Sequence, residues 1–334
     1  MTHQIKEIEG INPINVGESF ACISEPLVLR GLVKDWPVVE AGRQSPDTAA
    51  DYIREYYSGD HLTAFTGAPE IRGRVAYNDE LTGFNFERIS ATLDQVLNPI
   101  FENLDNPQPP AYYVGSTLLD RWFPGFREHN DLRMGDRDLL VSLWLGNRIK
   151  VSAHFDVADN IACCVVGRRK FTLFPPEQLD NLYVGPWDNT PAGQPISLVD
   201  FDQPDLDRFP RFRQAMDAAY TATLEPGDGI CIPSMWWHHV ESLDGFNVLV
   251  NYWWRTTPRY MGAPLSVLKH ALLSLKGLPP EQRKAWQHIF DFYIFNESDE
   301  ASAHIPEHSR GILGQMSDAT ARQLRADLLN QLNR

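Results

Sequence analysis

Two histidines and one aspartate are the residues whose types and spacing first indicate chemistry. His154 and Asp156 stand one residue apart in the stretch VSAHFDVADN, which begins at Val151. If they lie on a β-strand, their side chains point to the same face, so the imidazole and the carboxylate enter whatever the strand encloses together. Such pairs are frequent by chance, and this one becomes a metal-site hypothesis only if a third ligand is found elsewhere in the chain.

The third ligand is predicted in the aromatic segment PSMWWHHVESL, residues 233–243. The segment follows a turn at 225–228 and a short strand, and it contains the adjacent histidines His238 and His239, of which strand alternation lets only one face inward. Two histidines and one carboxylate form a facial triad with open coordination positions, which suits non-haem Fe(II). A closed structural zinc site would require a fourth ligand, and the sequence indicates none.

Composition and charge restrict the class of protein. The 334 residues are 43% hydrophobic and 11% aromatic, an ordinary globular balance. The formal net charge of −14 opposes binding to phosphate backbones or anionic lipid. The amino terminus lacks a basic region followed by an apolar run, and no stretch approaches the roughly 18 consecutive apolar residues of a membrane span. We therefore expect a cytoplasmic protein that binds neither nucleic acid nor membrane.

The cysteines indicate a reducing compartment. Cys22, Cys163, Cys164 and Cys231 show neither CxxC spacing nor a framework pattern, and two of them are adjacent in the chain. Adjacent cysteines suit neither a pairwise disulfide nor a zinc ribbon. All four are predicted to be reduced thiols, buried in the core.

The arrangement of apolar residues predicts a mainly β protein with helical additions. Before residue 100, it predicts a strand at 26–33, a helix from Ser45 to about Tyr57 and a helix from Phe86 to Leu97 that Asn98-Pro99 ends. From Pro110 onward, short apolar runs bounded by Gly, Pro, Asn or Asp are typical of a barrel or jelly roll. These predicted strands are 112–115, 139–145, 149–156, 161–166, 170–174, 222–224, 229–232 and 247–254.

An insert and a helical region complete the predicted organisation. Residues 175–221 interrupt the strands with prolines, glycines and the run DFDQPDLDRFPRF, and we expect an ordered insert over the barrel mouth. After Trp254, two amphipathic helices separated by Pro279-Pro280 and a third capped by Ser317 are predicted. Their apolar stripes require cover from the barrel or from a partner subunit. The predicted domains are therefore 1–258 and a helical region, 259–334.

Four motifs carry a resemblance to a known family. They are AHFDVADN, GRRKFTLFPPEQLDNLYVGP, VDFDQPDLDRFPRF and PGDGICIPSMWWHHVESL. With them, residues 27–254 resemble the jumonji-C, or cupin-like, Fe(II)- and 2-oxoglutarate-dependent oxygenases, and within these the branch that contains the asparaginyl hydroxylase of hypoxia-inducible factor. The resemblance implies a double-stranded β-helix with helical additions and a carboxy-terminal helical pair that forms homodimers.

The same resemblance assigns roles to individual residues. His154, Asp156 and His238 match the three iron ligands, and His239 is then a residue that supports the ligands or packs in the core. The residues that match positions around the co-substrate are Tyr113, Asn160, Asn251 and Trp253, the last being an aromatic residue beside the iron.

Two positions depart from the family's pattern. Arg169 stands where the family usually has a lysine that pairs with the distal carboxylate of 2-oxoglutarate, and Lys170 follows it. Arginine can hold a carboxylate through two hydrogen bonds, so we expect Arg169 to bind the co-substrate, with Lys170 as the alternative. Val151-Ser152 replaces the threonine expected before the ligand strand, and Ser152 could supply the hydroxyl.

The resemblance implies an oxygenase that uses Fe(II) and 2-oxoglutarate, most simply to hydroxylate a peptide or protein side chain or a small molecule. Demethylation results instead where the attacked carbon is bonded to nitrogen. Two other hypotheses stand beside it: a cupin-type metalloenzyme that acts on a small metabolite without 2-oxoglutarate, and a catalytically silent scaffold whose helices bind partners. A cation deep in the barrel distinguishes the oxygenase from the cupin-type metalloenzyme, and an intact triad argues against the silent scaffold.

Overall fold

The strand-forming runs of the sequence assemble into two β-sheets. The computed structural model describes residues 2–14, 16–19, 24–296 and 300–333. Its strands are β1 (His3–Gln4), β2 (Lys6–Glu9), β3 (Leu27–Arg30), β4 (Leu62–Gly67), β5 (Arg74–Val75), β6 (Glu87–Ala91), β7 (Ala111–Leu118), β8 (Leu140–Gly146), β9 (Lys150–Phe155), β10 (Asp159–Val166), β11 (Arg169–Phe174), β12 (Tyr220–Leu224), β13 (Gly229–Ile232), β14 (Trp237–Ser242) and β15 (Asn247–Trp254).

The order of the strands is that of a jelly roll. One sheet has the order β1-β12-β11-β14-β9-β5, and the other has the order β2-β3-β13-β10-β15-β8-β7-β4-β6. From β8 to β11, and again from β12 to β15, successive strands alternate between the two sheets. The predicted fold, a jelly roll with helical additions, is therefore confirmed.

Helices cover the nine-stranded sheet and follow the last strand. They are α1 (Val16–Ser19), α2 (Pro37–Gln44), α3 (Pro46–Tyr56), α4 (Leu93–Glu102), α5 (Leu119–Trp122), α6 (Phe212–Asp217), α7 (Pro264–Ser274), α8 (Pro280–Phe290), α9 (Glu300–Ala303) and α10 (Asp318–Leu332). In the described part of the chain, none of them is both long and apolar enough to cross a membrane.

One predicted helix is wrong. Within the segment predicted as a helix from Phe86 to Leu97, residues 87–91 form β6, which pairs with β4. Helix α4 begins only at Leu93, after a capping box in which Thr92 and Gln95 exchange side-chain hydrogen bonds with each other's backbone N–H. It also continues past Pro99, which was predicted to end it. Strand pairing and the cap together override the apolar spacing that suggested one continuous helix.

The core is divided between the outer face of the nine-stranded sheet and the space between the sheets. Helices α2, α3 and α4 bury their apolar faces on the outer face, and a second cluster joins β11 and β12 to β10, β13 and β15. Strand β10 is buried along its whole length because both of its faces are covered. The second cluster borders a cavity between the sheets, which Ala162, Phe171, Ile232 and Leu249 of the cluster help to line.

Three of the cysteines are buried free thiols, as predicted. They are Cys163, Cys164 and Cys231. Burial raises the pKa of the Cys164 thiol to about 12, so it stays protonated at neutral pH. Cys22 lies outside the described residues.

The chain divides into two compact units, residues 1–256 and 257–334. In the first, the 175–221 insert is attached to β9: Ser197 donates a backbone hydrogen bond to the carbonyl of Ala153 at 2.8 Å, and Lys150 forms an ion pair with Asp202. The second unit contains α7 to α10 and exposes large apolar side chains, among them Leu273, which is 79% exposed.

Candidate active site

Two adjacent strands hold the predicted metal ligands. In the antiparallel pair β9 and β14, His154 lies directly opposite His238, and Asp156 follows the end of β9. The next pair is Val151 with Val240, so three steps along β9 match two along β14. This β-bulge lets Val151 and His154 both line the same cavity, although an odd spacing on a regular strand would direct them to opposite faces.

The three side chains form a cluster suited to a metal ion. One ligand atom from each of His154, Asp156 and His238 lies within 4.8 Å of the others. Nδ1 of His154 lies 2.9 Å from the carbonyl oxygen of Ser152, and Nδ1 of His238 lies 3.1 Å from that of Trp236. A carbonyl can only accept, so each Nδ1 carries the proton and each Nε2 presents a lone pair. Burial, together with the neighbouring His154, lowers the pKa of His238, which keeps its imidazole neutral.

Neighbouring groups fix the aspartate. The indole Nε1 of Trp253 donates to Oδ2 of Asp156 at 3.2 Å, and the same oxygen lies 3.6 Å from Nε2 of His238. The backbone N–H of Met235 donates to the carbonyl of Asp156 at 2.8 Å. This bond ties the loop that leads into β14 to the end of β9, so the two arms of the cluster are held together independently of any metal.

A cavity of about 300 Å³ lies between the sheets beside this cluster. All nine side chains predicted for the site line it: His154, Asp156, His238, Tyr113, Ser152, Asn160, Arg169, Asn251 and Trp253. His239 points to the other face of its strand, where it is buried and stacks on Phe201 with ring centroids 4.2 Å apart. His239 therefore packs in the core behind the cluster, which is one of the two roles predicted for it.

Arg169 is the unusual group in the cavity. Its side chain is buried, with the residue only 3% exposed, and its Nε and Nη2 have no hydrogen-bond partner among the described residues. Burial lowers the pKa of the guanidinium, which reflects the unfavourable desolvation of an unpaired cation. Lys170, on the opposite face of β11, donates to Glu241 at 2.8 Å. Of the two residues predicted to bind the co-substrate carboxylate, only Arg169 therefore faces the cavity.

Two hydroxyl groups lie near this guanidinium and the metal cluster. Burial raises the pKa of Tyr113, while Arg169 opposes the shift, so the phenol stays protonated and can donate a hydrogen bond. Ser152 is also buried, and its hydroxyl lies 3.4 Å from the carbonyl of Val75, a long contact that leaves it available to a ligand.

A hydrogen-bonded chain orients the two asparagines. Nε1 of Trp144 donates to Oδ1 of Asn251 at 2.7 Å, and Nδ2 of Asn251 donates to Oδ1 of Asn160 at 3.3 Å. The amide nitrogen of Asn160 is thereby left as a donor. Trp144 also contacts the rings of Tyr113 and Trp253, with centroids 6.1 and 5.6 Å away.

Sequence reasoning did not identify Trp144, nor Arg88 and Gln194 at the mouth of the cavity. Trp144 lies in a predicted strand, where a tryptophan is usually a core residue, and its N–H could have indicated a polar partner. Gln194 lies in the insert, and its sequence context gave no signal. These three residues enter the site through long-range packing.

Comparisons with known proteins agree with the fold. Residues 13–260 match the family described as Cupin-like domain. The chain is 28% identical over 281 residues to HSPB1-associated protein 1 of Bos taurus, which covers 74% of this chain and 52% of that protein. It is 32% identical over 160 residues to tRNA wybutosine-synthesizing protein 5 of Mus musculus, covering 43% and 45%. It is 30% identical over 156 residues to lysine-specific demethylase JMJ31 of Arabidopsis thaliana, covering 45% and 28%.

The chain spans little more than half the length of the HSPB1-associated relatives that it matches. The family match, residues 13–260, contains every strand from β3 to β15 and therefore the whole cavity. The predicted resemblance to the cupin-like, or jumonji-C, domain is thus confirmed, whereas the branch of the asparaginyl hydroxylase stays a prediction, and the protein belongs to the cupin-like domain family of the jumonji-C type.

Proposed function

We propose that this protein is an Fe(II)- and 2-oxoglutarate-dependent oxygenase that hydroxylates a side chain of a peptide or protein. One observation carries the proposal: the unpaired guanidinium of Arg169 lies in the same cavity as the histidine and aspartate cluster. The cluster alone would suit several kinds of cupin metalloenzyme. A buried cation beside it adds a requirement for an anionic ligand, which a carboxylate satisfies.

The donor set fits Fe(II). Two neutral imidazoles and one carboxylate supply three ligands, and positions remain for further ligands on the cavity side. When bound, Fe(II) and 2-oxoglutarate together supply the activation of oxygen and the oxidation of an unreactive C–H bond. The carbonyls of Ser152 and Trp236 hold the imidazoles in the tautomer that a metal requires, and Trp253 holds the carboxylate.

The cavity also fits a dicarboxylate. The Arg169 guanidinium lines the cavity, and two parallel N–H donors on one edge of a guanidinium match the two oxygens of a carboxylate. The protonated phenol of Tyr113 and the amide nitrogen of Asn160 are further donors. The aromatic side chains of Phe65, Tyr113 and Trp144 exclude water from this space, which strengthens each of these bonds.

The substrate class is drawn from charge and from the relatives. The net charge of −14 is unfavourable for a nucleic acid substrate, although one relative is named for tRNA wybutosine synthesis. Another is named a lysine-specific demethylase, and a third is named for association with HSPB1. We therefore place a peptide or protein side chain first, with hydroxylation as the simplest outcome.

The same proposal covers location and assembly. We propose a cytoplasmic protein, and a homodimer formed through the second unit, where Val267, Leu272 and Leu273 on α7 are exposed. Apolar side chains in this number on one short helix are unusual for a surface that stays in water.

A second candidate is a cupin-type enzyme that acts on a small carboxylate metabolite without 2-oxoglutarate. It is favoured by the cavity volume of about 300 Å³, which is at the lower end for ligand sites, and Arg169 would then bind the carboxylate of the substrate itself. The two candidates differ in whether 2-oxoglutarate binds beside the metal.

Anaerobic titration of the protein with Fe(II) and then with 2-oxoglutarate decides between them. The proposal predicts a saturable visible charge-transfer band from the iron chelate and, after oxygen is admitted, formation of succinate. The Asp156→Ala variant should retain the circular dichroism of the folded protein but form no band, because the site loses its anionic ligand. A wild-type protein that binds Fe(II) but gives no band at millimolar 2-oxoglutarate would exclude the oxygenase.

A further inference from the structure

A chain of side-chain hydrogen bonds crosses three neighbouring strands at the wall of the cavity. It runs from Trp144 on β8 through Asn251 on β15 to Asn160 on β10, and all three residues line the cavity. In the strand register, Ser142 and Ala162 lie directly opposite Asn251. Trp144 and Asn160 each stand two residues from these opposed positions, and an offset of two keeps side chains on one face as diagonal neighbours.

The direction of this chain is fixed at the tryptophan. An indole N–H donates and cannot accept, so the atom 2.7 Å from Nε1 of Trp144 has to be an acceptor, which is Oδ1 of Asn251. The amide of Asn251 then has only Nδ2 to offer to Asn160, which receives it on Oδ1 at 3.3 Å. The reverse arrangement would set two donors against each other at the indole. The chain therefore ends at Nδ2 of Asn160, as a donor.

Burial makes this direction consequential. Asn251 is 1% exposed and Asn160 is 6% exposed, so neither amide can exchange its protein partner for bulk water. In such surroundings each bond is stronger, and a buried donor or acceptor without a partner is unfavourable. Trp144 is itself held by ring contacts with Tyr113 and Trp253. A group that can only donate, held at one end, thus determines what the cavity meets at the other end.

The donor at the end of the chain suits an anionic ligand. Arg169 and Tyr113 line the same cavity and also present donors. If the amide of Asn160 were turned over, its oxygen would face the lone pairs of a bound carboxylate, and one attractive contact would become repulsive. The orientation of a single amide therefore contributes to the affinity for a carboxylate.

We propose that Trp144 is a positioning residue for the co-substrate: by donating to Asn251, it makes Asn160 present an N–H donor to a carboxylate bound in the cavity. This inference rests on the proposed function for the identity of that carboxylate, 2-oxoglutarate. Trp144 acts through the two amides. Without the indole N–H, both amides can turn over, and Asn160 presents its donor for only part of the time.

Carboxylate binding to Trp144→Phe tests the proposal. The variant keeps an aromatic ring beside Tyr113 and Trp253 and removes the indole N–H. The probes are 2-oxoglutarate and succinate, titrated calorimetrically into the full chain without oxygen, both with and without Fe(II). We expect the Kd of both probes to rise roughly tenfold, as for a weakened hydrogen bond to a charged group. The affinity for Fe(II) should be unchanged, because Trp253 keeps its hydrogen bond to Asp156.

Two further variants assign the effect to the chain of amides. Trp122→Phe removes an indole donor that bonds the carbonyl of His61 at 3.1 Å, and it should bind both probes as the wild type does. Asn160→Ala removes the donor that Trp144 positions. In the Asn160→Ala background, Trp144→Phe should therefore cause no further loss of probe affinity.

A spectroscopic readout on the wild type supports the proposal even if Trp144→Phe does not fold. In protein labelled with [15N]asparagine, the side-chain amide signal that is missing from Asn160→Ala identifies Asn160. This signal should shift when succinate saturates the metal-free protein, because Nδ2 of Asn160 then donates to a carboxylate.

Several results would overturn the role of Trp144. They are wild-type affinity of Trp144→Phe for both probes, a full loss that persists in the Asn160→Ala background, and an Asn160 amide signal that a saturating probe leaves unmoved. A wild type that binds neither probe would overturn it too, as would an equal loss of Fe(II) affinity in Trp144→Phe, which would indicate a general loosening of the cavity. The charge-transfer band decides the oxygenase separately. If the band is missing, a roughly tenfold effect of Trp144→Phe on succinate binding still supports the positioning role.

Discussion

Replacing Arg169 by methionine should weaken co-substrate binding and stabilise the metal-free protein at the same time. The guanidinium is buried and lacks partners for Nε and Nη2, so in the absence of a ligand it is a desolvated, unsatisfied cation. Methionine has a similar length and no charge, so it can fill the same space. A residue that served only to support the fold would show losses in both properties.

The burial of Arg169 sets the expected size of the change in co-substrate affinity and in stability. Truncating one partner of a buried, hydrogen-bonded charge pair costs about 2–5 kcal/mol of binding, so the Kd for 2-oxoglutarate should rise by roughly 30-fold or more. The affinity for Fe(II) should change little, because Arg169 is not among the clustered ligand atoms. Removal of an unsatisfied buried group should raise the free energy of unfolding of the metal-free protein by about 1–3 kcal/mol. The corresponding rise in Tm is roughly 2–4 °C per kcal/mol for a unit of this size.

Arg168→Met is the matched control. The side chain of Arg168 is 48% exposed and pairs with Asp244, an exposed interaction worth at most about 1 kcal/mol. It should leave the 2-oxoglutarate titration unchanged and should not raise Tm. The reasoning is refuted if Arg169→Met keeps the wild-type affinity for 2-oxoglutarate, or if the metal-free variant is less stable than wild type in urea and thermal unfolding.

Two further predictions concern the support of the site and the backbone around it. Trp253→Phe removes the hydrogen bond to Asp156 and should lower the affinity for the metal about 10- to 100-fold, measured in competition with a chelator. An unchanged metal affinity would show that the indole does not hold the carboxylate. Gly73→Ala should destabilise the protein in urea unfolding by at least about 1 kcal/mol more than Gly59→Ala. Both glycines have a positive φ, so the backbone strain of the two variants is matched. An added Cβ at Gly73 would lie 1.9 Å from the carbonyl oxygen of Arg148, whereas at Gly59 it would meet no described atom within 4 Å. Equal losses in the two glycine variants would contradict this packing argument.

The parts of the site that lie close together in sequence could be predicted. His154 and Asp156 share a short stretch, and an aromatic loop before two histidines is an unusual local signal, so the residue types themselves indicated a triad. Their roles as metal ligands stay predictions. The geometry adds that these side chains and Asn160 line one cavity.

The parts that depend on distant pairing could not be predicted. Alternation alone would put Val151 and His154 on opposite faces, and only the bulge against β14 brings both to the cavity. Trp144 becomes a site residue because its indole reaches Asn251, 107 residues away in sequence. Gln194 becomes one because the insert folds back onto β9. Each contact joins elements whose meeting depends on the complete fold.

The position of β15 bears on how the chain is made. It is the last strand in the described part of the chain, yet it lies in the middle of the nine-stranded sheet, between β10 and β8. Until residue 254 has left the ribosome, β10 and β8 each have an open edge where β15 will insert, and open edges are sites of mispairing between nascent chains. Asn251 and Trp253 arrive with that same strand. The completed cavity, and with it any affinity for a co-substrate, therefore appears only when β15 inserts. Before that step, the nascent chain has open strand edges that can pair with other nascent chains.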